Sequence, residues 1–422
     1  MEKIIGKLLF VGLLLALVLF PAFGGGQQEA QKEVELVWPC IWVGQDSKAG
    51  VIEELVEEFN DMHQGEVQVV IEPQYEYRAY ENNMRTRLAV GDAPDIFTLN
   101  WSPDVIEYYG TDLLMDFSKE LAKDGWKDNF NKNPLVASTI DGRIETLPYE
   151  MGLAPIWYNI NLFNKAGIEK FPETMDDFWE ACEKLKAIDV VPVSLSTNSA
   201  WVSMLWYSHF MGSLGGPDVW ESDWDDPAYV KAAEILKRMF SDGNTTEDAI
   251  MSDPNTAGSH YMAERTAMFT NGAWYIGDIR DNAPEIHKAT RLASVPKAGD
   301  YHGHQLGWLH TNLVAANTDD PVKRAAVVKF FKYLTEPNNI RRLSLASGSL
   351  FAVEFEFRED DDIDPLQRRF VEAANEATFL IQHMRAVKPN DVYNEMQHAI
   401  GEMVAKDSSP ERFVEMLQNA AN

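Results

Sequence analysis

VELVWPCIWVGQDSKAGVIEELVEEFNDMHQGEVQVVIEPQ, residues 34–74, changes its hydrophobic period twice. VELVWPCIWV (34–43) is a dense run of β-branched and aromatic residues, the composition of a buried strand. After a turn, Val51, Leu55 and Phe59 recur at helical spacing, and Ile52 and Val56 widen the stripe. EVQVVIEPQ (66–74) then alternates as a strand does. A second helix, expected around 78–90, leads into GDAPDIFTLN (91–100), a third strand. Strand–helix–strand–helix–strand order predicts an α/β fold, a parallel sheet covered by helices.

A fresh unit is expected to begin near 150. FPETMDDFWEACEKLKA (171–187) places Thr174 as N-cap with Asp177 three residues on, and Phe178, Cys182 and Leu185 form its apolar stripe. VVPVSLS (190–196) reads as the next strand. DPAYVKAAEILKRMFSDG (226–243) reads as an amphipathic helix ended by Gly243. RTAMFT (265–270) is another strand, and VKRAAVVKFFKYLTEP (322–337) a helix stopped before Pro337. A chain of 422 residues is long for one core and typical of two. REDDDIDP (358–365) reads as a solvated loop, because it lacks the glycine of a calcium-binding loop.

Upstream, Lys3 and Lys7 precede the apolar run LLFVGLLLALVLF (8–20), and PAFGGG (21–26) supplies small residues for cleavage. This predicts a signal peptide over 1–24, a flexible segment over 25–33, and export to the periplasm. No cysteine follows the apolar run, so a free protein is expected in place of a lipid-tethered one. The only cysteines, Cys40 and Cys182, do not make a disulfide framework and read as small buried hydrophobes. A formal net charge of −29 argues against nucleic acid and anionic lipid as partners. Twelve tryptophans point instead to something with an apolar face and a polar rim.

Several segments, taken in order, resemble the extracellular solute-binding proteins of ABC transporters, in the sugar-binding family that includes maltose-binding protein. They are AVGDAPDIF (89–97), LPYEMGLAPIWYNINLFNKAGI (147–168) with the following FPETMDDFW, ERTAMFTNGAWYIGDI (264–279), TNLVAAN (311–317) and SGSLFAV (347–353). Phe351 departs from the pattern, standing where a proline is often found. The resemblance implies a two-lobed, type II periplasmic-binding-protein fold with a ligand cleft between hinge-connected lobes. The N-terminal lobe would comprise 34–148 plus 311–353, and the C-terminal lobe 149–310 plus 354–422. It further implies a non-enzymatic, monomeric binder without cofactor or metal, which takes up a sugar or oligosaccharide and delivers it to membrane permease subunits. The chain has no Gly-x-x-x-x-Gly-Lys-Ser/Thr loop, so ATP hydrolysis would fall to a partner.

In open α/β sheets ligands sit beyond the carboxyl ends of strands. A sugar asks for aromatic platforms under its C–H faces and planar polar groups around its hydroxyls. Candidates at such positions are Trp42, Gln45 and Asp46; Asn100 and Trp101; Tyr149 and Glu150; Asn198 and Trp201; Trp274; and Gly307 and Trp308. Arg385 and Tyr393 would reach the cleft from the C-terminal segment. Trp179 and Trp206, inside helical patterns, read as packing. His302, His304 and His310 lie in one segment, but a zinc site needs further ligands, so a polar turn is expected there. Two rival readings are an exported glycoside hydrolase, which needs a defined pair of carboxylates, and the same fold binding a polyamine between acids and aromatic walls.

Overall fold

The computed structural model describes residues 33–421. The expected signal peptide and nearly all of the expected flexible segment lie outside the described residues. Among the described residues no helix is long and apolar enough to cross a membrane.

The opening stretch folds as its periodicity dictates. Strands Val34–Cys40 and Val67–Pro73 run parallel in register, Val34 opposite Val67 and Cys40 opposite Pro73. The helix Ala49–Met62 between them buries Ile52, Leu55, Val56 and Phe59. The next helix spans Tyr77–Ala89 and the third strand Ile96–Asn100. That strand pairs antiparallel with Thr311–Ala315, which also pairs with Leu147–Pro148. The strands of this lobe are therefore mixed in direction and not all parallel as expected. The added strand arrives from the second lobe and runs against its neighbours, which no local pattern encodes.

Around these strands Trp38, Phe59, Phe117, Tyr149, Phe330 and Phe331 form one core. A second core gathers Trp157, Phe178, Trp206, Phe210, Phe269 and Phe370 about the strands Val191–Val193, Thr266–Thr270, Ile156–Asn159 and Thr290–Ala293. Helix Met175–Lys186 opens on Thr174, whose hydroxyl accepts from the Asp177 N–H at 3.2 Å. It buries Phe178, Ala181, Cys182 and Leu185. Two local expectations shift. Helix Pro227–Met239 ends ahead of Gly243, which sits at φ +70° in the following turn. Pro337 does not merely follow the helix Pro321–Leu334 but opens a further one, Pro337–Ser347. A proline at the first helical turn loses no backbone bond. Both cysteines are buried and unbridged.

The two cores are joined where Glu150–Ala154, Gln305–Leu309, Leu350–Phe351 and Leu380–Ile381 form one small sheet. Glu150–Ala154 pairs antiparallel with both Gln305–Leu309 and Leu350–Phe351. The segments that pass between lobes are thus hydrogen-bonded to one another, a joint and not loose linkers.

Candidate functional site

Three tryptophans converge beside this joint. Trp201 begins the helix Trp201–Gly215, Trp274 follows the strand Thr266–Thr270, and Trp308 lies on the crossing strand Gln305–Leu309. Their ring centroids are 6.0–6.1 Å apart. Trp274 stacks on His310 at 4.4 Å with planes 13° apart, and His383 meets the Trp308 ring edge-on at 4.4 Å. The Trp308 indole donates to His310 Nδ1 at 3.1 Å, and the Trp201 indole to Asn271 Oδ1 at 3.2 Å. Trp201 and Trp308 are thus held by hydrogen bonds and Trp274 by its stack on His310; Trp201 and Trp274 are half-buried, whereas Trp308 is only 3% exposed.

Two glycines make room for this arrangement. A Cβ on Gly152 would collide with the Trp308 indole, and one on Gly272 with the ring of Trp274. The Gly-x-Trp spacing thus has a steric cause: the indole folds back over bare backbone.

Charged groups flank the rings. Lys48 is 2% exposed, and its Nζ lies 3.4 Å from Asp46 Oδ1 and from Glu150 Oε1. Burial opposes the ammonium charge, but Asp46 and Glu150 outweigh it and raise the pKa of Lys48. Asp278, in the helix after Trp274, is pushed up to about 6 by burial and by the negative charge of Asp46. Across the lobes, the Ser47 hydroxyl donates to the Trp274 carbonyl at 3.3 Å. Arg385 is 5% exposed, ion-paired with Glu81 of the first lobe, and its guanidinium lies 4.9 Å from the Tyr393 ring centre.

The expected residues therefore divide. Trp201, Trp274 and Trp308 come together, with Asp46 and Glu150 beside them through Lys48. Arg385 and Tyr393 meet, and the Tyr393 hydroxyl lies 3.2 Å from Ser199 Oγ, two residues before Trp201. Trp101 is half-buried and its backbone N–H donates to the His310 carbonyl at 2.8 Å, while Asn100 Oδ1 accepts from the Thr311 hydroxyl at 3.1 Å.

Other expected residues go elsewhere. Trp42 and Tyr149 belong to the interior of the first lobe: Trp42 packs on Trp38 at 5.9 Å and on Tyr149 at 5.4 Å, and Tyr149 on Phe351 at 5.4 Å. The strand-end position was read correctly, but the side chains point inward. Tyr149, assigned from the sequence to the second lobe, thus packs in the first. Gly307 faces Leu380, on the opposite side of its strand from Trp308. Gln45 and Asn198 are exposed and join none of these rings. Trp206 is fully buried, as packing requires.

Lys48, Glu81, His310 and His383 were missed. The histidine-bearing segment did carry a signal, but its three members go to different places: His310 joins the tryptophans, His304 stacks on Phe379, and His302 is exposed. Among the described residues no group of three or more His, Cys, Asp or Glu converges as a metal site would require.

Comparison with known proteins places this geometry. The family described as bacterial extracellular solute-binding protein matches residues 54–354. The multiple sugar-binding protein of Streptococcus mutans is 24% identical over 295 residues, covering 67% of this chain and 68% of that protein. The maltotriose-binding protein of Pyrococcus abyssi is 24% identical over 369 residues, 86% of this chain and 77% of that protein. Among solved structures, a chitin oligosaccharide binding protein superposes with TM-score 0.84 at 20% identity, over 92% of this chain and 98% of that one. A Streptococcus pneumoniae solute-binding protein in complex with the blood group A-trisaccharide gives TM-score 0.75 at 18% identity, over 92% and 99%. With two α/β lobes about a hydrogen-bonded joint, and a family match that runs through both, this chain belongs to the bacterial extracellular solute-binding proteins.

Proposed function

We propose that this chain is the capture component of an ABC importer, taking a sugar or oligosaccharide between its lobes and presenting the closed protein to a membrane permease. The reading rests above all on the convergence of Trp201, Trp274 and Trp308 beside polar groups drawn from both lobes. Indoles stack on the C–H faces of a pyranose, while carboxylates and ammonium groups orient its hydroxyls. Buried cations already stand among these acids, Lys48 between Asp46 and Glu150 and Arg385 against Glu81, which disfavours a polycation in the same space. Asp278, pushed up to about 6 by burial and by Asp46, is the acid a polyamine would use, and the salt dependence of binding decides between the two.

Ligand contacts made by both lobes at once favour the closed arrangement. A micromolar affinity corresponds to about −8 kcal/mol, within reach of a few stacked rings and directed hydrogen bonds. The chain acts in the periplasm as a monomer and leaves ATP hydrolysis to its partner. Its relatives are named as binding proteins, and the same role is proposed for this chain in place of glycoside hydrolysis.

A thermal-shift panel of mono- and oligosaccharides, polyamines and polyol phosphates tests this, since a ligand of the native state raises the melting temperature. A saccharide should give the largest shift, with affinity nearly independent of salt. A response confined to polyamines and abolished by salt would replace the sugar reading. Release of shortened products at ordinary turnover rates would replace it with a hydrolase.

A further inference from the structure

The tryptophan cluster is bounded on two flanks by contacts between lobes. On one flank Ser47 reaches the Trp274 carbonyl, and Arg280 Nη2 donates to the Ala346 carbonyl at 2.7 Å. Gly277 lies so close that a Cβ there would come within 2.5 Å of Ser47 Cβ and 3.2 Å of the Ala346 carbonyl. On the other flank, helix Tyr77–Ala89 of the first lobe faces the segment 384–405 of the second. Glu81 pairs with Arg385. Asp104 Oδ1 accepts from the Asn390 N–H at 3.1 Å, and Asp104 is itself held by Arg85 at 3.1 Å. Gln397 Oε1 accepts both from Arg78 of the first lobe at 3.2 Å and from the Ser199 N–H of the second at 3.3 Å.

This second flank adjoins the rings directly. His383, two residues before Arg385, touches Trp308 and Trp201 edge-on at 4.4 and 5.2 Å. Ser199, tied to Gln397 and Tyr393, immediately precedes the turn that presents Trp201. Buried polar atoms without a partner also collect here, at His383 Nε2, Arg385 Nε and Asn390 Oδ1. Buried groups of this kind are satisfied in nearly all folded proteins. A hydroxyl-rich guest reaching this flank from the rings would supply their partners.

We propose that the Glu81–Arg385 pair, with Asp104–Asn390 and Arg78–Gln397, is an end wall that favours short saccharides over long ones, and that Arg385 determines this length specificity. A longer chain lying across the rings would have to break the ion pair and leave a buried guanidinium unmatched, a cost paid against the long ligand and not the short one. The proposal rests on the sugar reading above and narrows it.

The experiment titrates the full chain by calorimetry with mono-, di-, tri- and tetrasaccharides of the gluco, galacto, xylo and N-acetylglucosamine series. In the responding series the mono- or disaccharide should bind tightest, and the tetrasaccharide at least about tenfold more weakly. The double variant Glu81→Ala/Arg385→Ala, which removes both charges together, should shrink that ratio severalfold, the ratio and not the affinity for the short sugar being the readout. Arg78→Ala, at an exposed position, serves as the second variant and should shrink it in the same sense. Tetrasaccharide binding as tight as disaccharide binding in the unaltered protein, or a ratio unmoved in folded variants, would overturn the end wall and leave the sugar reading standing. No response to any saccharide would overturn both.

Discussion

Mild acid should destabilise this protein, because four imidazoles are held in their neutral form, three of them buried (His209, His304 and His383) and one half-buried (His310). His209, His304, His310 and His383 are all held below their ordinary range, chiefly by burial: His209 and His310 to about 3, His304 to about 4, and His383 well down. The hydrogen bonds agree. His310 Nδ1 accepts from Trp308 and His383 Nδ1 from the Ala386 N–H, so neither nitrogen is free to take a proton. His209 and His304 direct Nε2 at the carbonyls of Ala154 and His209, and their Nδ1 atoms are buried without an acceptor. In the unfolded chain each would titrate near pH 6.5, so the unfolded state binds more protons below that value. Stability is therefore full above about pH 6.5 and falls with acid, by up to about 1.4 kcal/mol per pH unit for each histidine.

Between pH 6.5 and 5 the four together reach about 8 kcal/mol at most, against a typical total stability of about 5–15 kcal/mol. Asp278 works the other way. Its carboxyl, raised to about 6, favours the fold as pH drops through that value and offsets roughly 1.4 kcal/mol per pH unit. The net expectation is a loss on the order of 5 kcal/mol from neutrality to about pH 5. Urea unfolding followed by tryptophan fluorescence at about pH 7, 6 and 5 measures it. His310→Gln should reduce the slope by about one histidine's share. Stability that stays within about 1 kcal/mol across this range, or a slope that His310→Gln leaves untouched, would refute the reasoning.

Three further outcomes are expected. Trp274→Ala should weaken saccharide binding by about 1–3 kcal/mol in calorimetry, the scale of an aromatic contact; lost stability with unchanged affinity would make the ring core. Lys48→Met should destabilise by about 3–5 kcal/mol in urea, because Glu150 would keep a buried charge alone, and Lys48→Met/Glu150→Gln should recover much of this. Ser199 holds φ +57°, a left-handed conformation hard on β-branched residues, so Ser199→Val should cost about 2 kcal/mol or more and Ser199→Gly well under half that, in the same assay.

What could be read from the chain alone was whatever has a local cause. The Thr174 cap, the stripe of Ile52, Leu55, Val56 and Phe59, and the strand ends before Trp201 and Trp274 each follow from spacing within a few residues. Period and composition reveal that a residue ends a strand, but not which face it takes: Trp42 and Tyr149 turn into the interior of the first lobe, and Trp308, 3% exposed, packs into the core of the second. Lys48 gave no signal because its partner Glu150 lies on a distant crossing strand. Glu81 likewise carries no local mark, because Arg385 reaches it from the far end of the chain.

Trp308 stands on a strand of the joint, and Gly152, on the neighbouring strand, leaves the gap into which its indole lies. Any swivel of one half against the other must therefore tilt that ring as a lever tilts with its axle. Under the function proposed above, release of the cargo and loss of its seat become a single mechanical event, and the protein's intrinsic emission would serve as a built-in gauge of the angle.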